Sequence, residues 1–201
     1  FATSGNNFTT INVAGTQASN VVQGLTFSGK LSGTPSGGVW TKAGSGTLVL
    51  SNANNDFTAN VFISAGVLAF NSDAALGNSA NAVTLGGASS GTLRAFGGTA
   101  TTPLSIATSR TINLWGSSGS NDIIEVAPYS TLTLNSALGL PAGAALNKAD
   151  AGTLVLAANN GSFAGNINVN GGIVRFANSG AGGLPGAGVT AIGNNRLNTA
   201  I

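Results

Sequence analysis

The sequence predicts an all-β fold, a parallel β-helix or β-solenoid with roughly 21 residues per coil. Three observations predict it: a five-residue phrase of alternating character recurs along the chain, clusters of turn-forming residues separate its copies, and charge is scarce. The phrase begins at Gly46 (GTLVL), Gly66 (GVLAF), Gly91 (GTLRA), Arg110 (RTINL), Ser130 (STLTL), Gly152 (GTLVL) and Gly172 (GIVRF). Successive starts lie 19 to 25 residues apart and average 21.

Alternation with period two marks each phrase as a short strand with one buried face. Leu48, Leu68, Leu93, Ile112, Leu132, Leu154 and Val174 then form an inward ladder. Leu50, Phe70, Ala95, Leu114, Leu134, Leu156 and Phe176 form a second one two residues on. Between phrases stand Asn-Asn, Ser-Gly, Gly-Gly and Asn-Gly clusters, which suit turns, and no capped segment of helical period appears. A strand-and-turn unit of this size cannot bury an apolar face alone, whereas stacked coils can. Residues 1–201 are therefore expected to form a single solenoid segment. About nine or ten coils at about 4.8 Å each would make a rod roughly 45 Å long. A transmembrane β-barrel also alternates, but its strands need about ten residues and aromatic girdles; these phrases are half that length and aromatics are 6%.

Composition narrows the function. Charged residues make up 6% of the 201 positions, against about 25% in ordinary domains, which excludes an ion-paired helical bundle or coiled coil. A hydrophobic content of 42% excludes a disordered chain. The absence of Cys and His removes thiolate chemistry, sulfur-based zinc sites and the commonest general base. The net charge of +2 is spread over Lys30, Lys42, Arg94, Arg110, Lys148, Arg175 and Arg196. No run of cations could track a phosphate backbone, so no nucleic-acid partner is expected. Apolar runs fall short of the roughly 20 residues of a membrane helix, so no membrane insertion by this segment is expected.

A longer repeat contains the short one. Lys42 aligned with Lys148, 106 residues further on, sets KAGSGTLVLSNANNDFTANVFISAGVLAF over KADAGTLVLAANNGSFAGNINVNGGIVRF without a gap. Asn54/Asn160, Phe57/Phe163, Asn60/Asn166, Gly66/Gly172 and Phe70/Phe176 coincide, giving repeats at 42–77 and 148–183. The stretch from Gly44 to Leu50 and Ser51, through Asn54-Asn55 and Phe57 to Gly66-Val67-Leu68, resembles the passenger-associated strand repeat of autotransporter proteins. The copy from Ala151 to Val174 fits similarly, with Gly165 and Asn166 closer to the motif than Ala59 and Asn60. The resemblance implies a right-handed β-helix, secreted or displayed on a bacterial cell surface. It does not specify a ligand, and membrane anchoring is not expected from this chain itself.

Candidate chemistry is thin: no catalytic, cofactor-binding or metal-ligating residues are expected, and the protein is expected not to be an enzyme. Glycoside cleavage needs two facing carboxylates. The acids are Asp56, Asp73, Asp122, Glu125 and Asp150. Asp122 and Glu125 alone lie close in sequence, and a spacing of three places them on opposite strand faces, where both are expected to be solvated. Asn52 to Asp56 is expected to serve turn geometry rather than a cation, and Gly180 to Gly183 to form turns rather than a phosphate loop. Thr47, Thr92, Thr111, Thr131 and Thr153 fall in one outward column, which raises an ice-binding surface as a lesser alternative. Trp40, Trp115 and Tyr129 are candidate sugar platforms, with Trp115 facing outward. The expected function is a non-catalytic extracellular rod, adhesin stalk or self-assembling fibre subunit, with a carbohydrate-binding or carbohydrate-cleaving β-helix as the alternative. Uncovered solenoid ends, at Phe1 to Thr3 and Arg196 to Ile201, point to end-to-end self-association or continuation in a longer chain. A glycan or cell-surface ligand is the other expected partner.

Overall fold

Strands of four or five residues cannot bury a face in isolation, so each pairs with the strand one turn before and one turn after. The computed structural model describes residues 9–15, 24–34, 38–87, 90–115, 121–139, 145–162, 165–177, 180–181, 189–191 and 196–199. Among these residues nineteen strands form three parallel sheets of six, eight and five strands, wound as a β-solenoid of about six turns with roughly 23 residues per turn. The first sheet stacks Thr9–Asn12, Val39–Ala43, Asn60–Ile63, Val83–Gly86, Ile112–Trp115 and Leu138–Gly139. The second stacks Gly24–Phe27, Thr47–Leu50, Gly66–Phe70, Gly91–Ala95, Asn121–Val126, Ala145–Ala149, Asn166–Val169 and Val189–Ala191. The third stacks Leu104–Ile106, Thr131–Leu134, Thr153–Leu156, Ile173–Phe176 and Arg196–Thr199. One 3-10 turn, Asp73–Leu76, is capped by Ser72, whose hydroxyl accepts from the Ala75 amide. No helix among the described residues is long and apolar enough to cross a membrane.

All seven phrases are strands, but they do not share one ladder. Leu48, Leu68 and Leu93 are register partners in the second sheet. Ile112 lies in the first sheet between Val83 and Leu138, and Leu132, Leu154 and Val174 are partners in the third. All seven side chains are fully buried. Each turn contains two or three strands among the described residues, and those written NVFI, VTLG or ALNKA do not follow the recurring phrase. Successive phrases therefore include neighbours within one turn. This replaces nine or ten short coils with about six longer ones.

The two long repeats adopt the same local course on different sides of the solenoid. The first copy runs Val39–Ala43, Thr47–Leu50, Asn60–Ile63 and Gly66–Phe70, alternating between the first and second sheets. The second copy runs Ala145–Ala149, Thr153–Leu156, Asn166–Val169 and Ile173–Phe176, alternating between the second and third. Their 106-residue offset is not a whole number of turns, and the cassette is carried round by one side. Phe1, Ala2, Thr3, Phe163, Gly182, Gly183, Ala200 and Ile201, which bear on the sequence expectations, lie outside the described residues.

Candidate functional site

The corners between sheets are where the backbone leaves its ladder, so their carbonyls need other donors. Lys42 and Lys148 supply them. Both side chains are fully buried. Lys42 Nζ donates to the carbonyls of Ala43, Gly44 and Ala65 at 2.9, 2.7 and 3.0 Å. Lys148 Nζ donates to those of Ala149, Asp150 and Gly171 at 2.7, 2.7 and 3.0 Å. Each ammonium thus closes its own corner and ties it to the corner one turn on. Burial pulls both groups down to about 8, and for Lys148 the Asp150 and Glu125 carboxylates pull the other way. At neutral pH each lysine still holds the three protons that its three carbonyls accept. The adjoining glycines are obligatory: Gly66 and Gly172 have φ of 65° and 67°, and a Cβ would collide with the carbonyl oxygen of Gly44 or Gly152.

Asparagine performs a similar task in the loops. Buried Asn55 accepts from the Leu31 amide at 2.8 Å and donates to the Ala75 carbonyl at 2.8 Å, bridging the turns on either side. Asn160 does the same between Leu138, at 2.8 Å, and Ala181, at 2.6 Å. In the gapless alignment Asn160 faces Asn54, so the bridging amide lies one position out of register between the copies. Arg110 is fully buried. Its guanidinium reaches Asp73 Oδ1 at 2.7 Å and Oδ2 at 3.4 Å, and the carbonyls of Asp73, Leu76, Gly77 and Asn81 at 3.1, 3.2, 3.0 and 3.0 Å. It closes the end of the 3-10 turn.

Asp122 corrects an expectation. It shares strand parity with Ile124 and Val126 and is fully buried with them, rather than solvated. Glu125 does face outward, 3.6 Å from Arg94. Among the described residues, neither Asp122 carboxylate oxygen has a partner within hydrogen-bonding geometry. Burial pushes its pKa up to about 6, the backbone of Trp115 pulling partly the other way. The folded value lies above the ordinary 3.8, so the folded state holds a proton that the unfolded chain releases. That contribution to stability is fully present below about pH 4 and is lost as pH rises through about 6. Asp122→Asn is therefore expected to abolish this fall and to leave the variant more stable than the parent above neutrality, by about 2–3 kcal/mol. Thermal melts followed by circular dichroism between about pH 4 and 8 check this; parallel curves for the two proteins would place the carboxylate in water.

The threonine column also resolves differently. Thr47 and Thr92 belong to the second sheet, separated by Val67 and followed by Ile123. Thr131 and Thr153 pair in the third sheet, while Thr111 is exposed just before a strand of the first. Spread over three sides, these residues make no flat array, because the column was drawn across sheets. The remaining acids are engaged by cations: Asp56 with Lys30, Asp73 with Arg110, and Asp150 with Arg94 at 3.2 Å. The Asn52 side chain accepts from the Asn54 amide at 2.8 Å, which is a turn role. No group of acids that could hold a metal is found among the described residues.

The three aromatic candidates separate clearly. Trp40 is buried against Phe57, ring centroids 6.2 Å apart. Tyr129 stands almost fully exposed at a turn with φ 63°. Trp115 faces outward, 61% exposed, with its ring centroid 6.0 Å from that of Phe62. These two rings, with Val39, Asn60, Val61, Thr84 and Gly87, line a groove of about 530 Å³ on the outer face of the first sheet. Phe62 went unnoticed in the sequence because its strand lacks the recurring phrase, although it alternates with buried Val61 and Ile63.

The passenger-associated-transport-repeat family model matches residues 41–70 and 146–176. Both matched segments contain the buried lysine, its corner, the asparagine-bearing loop and the second glycine corner. No curated protein and no solved structure matches the chain. The chain is a parallel β-solenoid with two segments that match the passenger-associated-transport-repeat, the first alternating between the first and second sheets and the second between the second and third.

Proposed function

We propose that the chain is a non-catalytic structural segment of a secreted or surface-displayed passenger protein, a rod that associates end to end or continues in a longer chain. The two repeats and the solenoid support a secreted passenger-type structure. The observation that carries the structural role is the use made of the buried cations. Lys42 and Lys148 spend their donors on backbone carbonyls from successive turns, and Arg110 spends its own on the Asp73 carboxylate and four carbonyls of one loop, leaving them no part in chemistry at the surface. The pairing of four acids with surface or buried cations, and the isolation of Asp122 inside, support a rod without a hydrolytic pair.

Antibody detection on intact producing cells and in their medium tests the location. Protein accessible to added protease, or released outside, is the expected result; protein found only in the cytoplasm overturns the proposal. Negative-stain images of purified material are expected to show narrow rods or filaments, and compact globules would contradict them. Reducing-sugar release from polysaccharides is expected to stay at background, and sustained turnover would defeat the non-catalytic role.

A further inference from the structure

We propose that the groove on the first sheet binds an uncharged glycan, with a hexose ring stacked on the exposed face of Trp115 beside Phe62. This goes beyond the rod and does not depend on where the protein is located. An indole left 61% exposed on a sheet face carries apolar area that a ligand could cover, whereas the other tryptophan is packed away. The Trp115 and Phe62 rings touch in a tilted pair, centroids 6.0 Å apart and planes at 56°, so Phe62 holds the indole in place and the two form an angled aromatic corner. Gly87 keeps the groove open beside Phe62. Its φ is 121°, and a Cβ there would stand 3.2 Å from Phe62 Cζ, tight enough to push the ring.

The polar members of the groove suit hydroxyl groups. Asn60 Oδ1 accepts from the Ala82 amide at 2.9 Å, which fixes the side chain while its NH2 group can donate. Thr84 Oγ1 accepts from Asn113 Nδ2 at 3.3 Å, so its own proton is available to an acceptor. Among the described residues no charged side chain lines the groove, which disfavours polyanions. A purely apolar occupant would leave the Asn60 NH2 group and the Thr84 hydroxyl proton desolvated without acceptors. The size suits a small ligand: about 530 Å³ falls in the range of small-ligand sites, while a stable protein interface takes about 20–30 residues a side. A neutral pyranose, apolar on its ring face and hydroxylated at its edge, satisfies all of these features.

The chain has two tryptophans, so Trp40→Phe leaves Trp115 as the sole indole reporter. Its emission is titrated with oligosaccharides of glucose, mannose, galactose and N-acetylglucosamine, with polygalacturonate and heparin as charged comparisons. At least one neutral series is expected to shift the emission to the blue and to protect it from acrylamide. Calorimetry on the unmodified chain, which removes any dependence on the Trp40 substitution, is expected to give a dissociation constant below about 1 mM. Trp115→Ala and Gly87→Val are each expected to weaken binding at least about tenfold, and Trp115→Ala to leave the melting temperature unchanged. Silence from all four neutral series at about 10 mM, binding confined to the charged polymers, or unchanged affinity in Trp115→Ala overturns the proposal.

Discussion

Arg110→Met is expected to lower stability by about 5 kcal/mol, enough to open the turns around it at ordinary temperatures. Methionine fills much of the space but donates nothing. The substitution strands the Asp73 carboxylate, which is only 21% exposed, together with four carbonyl oxygens at the end of the Asp73–Leu76 turn. Breaking a buried ion pair from one side costs about 3–5 kcal/mol, and buried carbonyls without donors add to it. Arg110→Lys keeps the charge but cannot fork between Asp73 and the carbonyls, so an intermediate loss is expected. Hydrogen exchange is the better measurement here, because long repeat arrays need not unfold in one step. Amides from Ser72 to Asn81 are expected to lose protection first, and unaltered protection there would show that the guanidinium is not the clamp described.

Lys42→Met and Lys148→Met are expected to cost about 3 kcal/mol each, nearly equally. Equality follows from geometry: each ammonium meets three carbonyls at matching distances, and both are fully buried. Each substitution leaves three acceptors without donors while preserving most of the apolar volume. Glutamine, with one amide group, is expected to restore part of the loss. Chemical denaturation of the two variants checks the pair, and wild-type stability in either one would remove the lysine from its corner. Because the two corners lie on different pairs of sheets, the test also shows whether the cassette carries its stability with it to a new side.

Much of this architecture was readable in the residues. The alternation in GTLVL, GVLAF and GTLRA placed Leu48, Leu68 and Leu93 in register, since one-sided burial fixes parity. The number of sides was not readable, because a strand that carries an inward lysine, as in VWTKA or ALNKA, does not look like its neighbours. The lysines themselves left a signal: in a chain with seven cations, Lys42 and Lys148 align and are each followed by alanine. Their partners are carbonyls, which sequence does not mark. Arg110 resembled the polar opening of a strand, and its partner Asp73 lies 37 residues away, beyond any local pattern. Asp122 could have been placed inside, since its parity is that of Ile124 and Val126; acidity was allowed to outweigh alternation. The Phe62 and Trp115 groove joins strands more than fifty residues apart, so only folding brings it together.

The displacement of the second cassette by one side shows that the same cassette can begin on either of two walls of the solenoid. A duplicated or inserted stretch does not have to amount to complete revolutions to be accommodated; a remainder equal to one wall is absorbed by starting on the next. Length variation in such a protein is thereby quantised in units smaller than the revolution. Whatever outward residues a cassette carries are then presented along a spiral, so that a surface feature copied along the rod would face new directions as the rod lengthens.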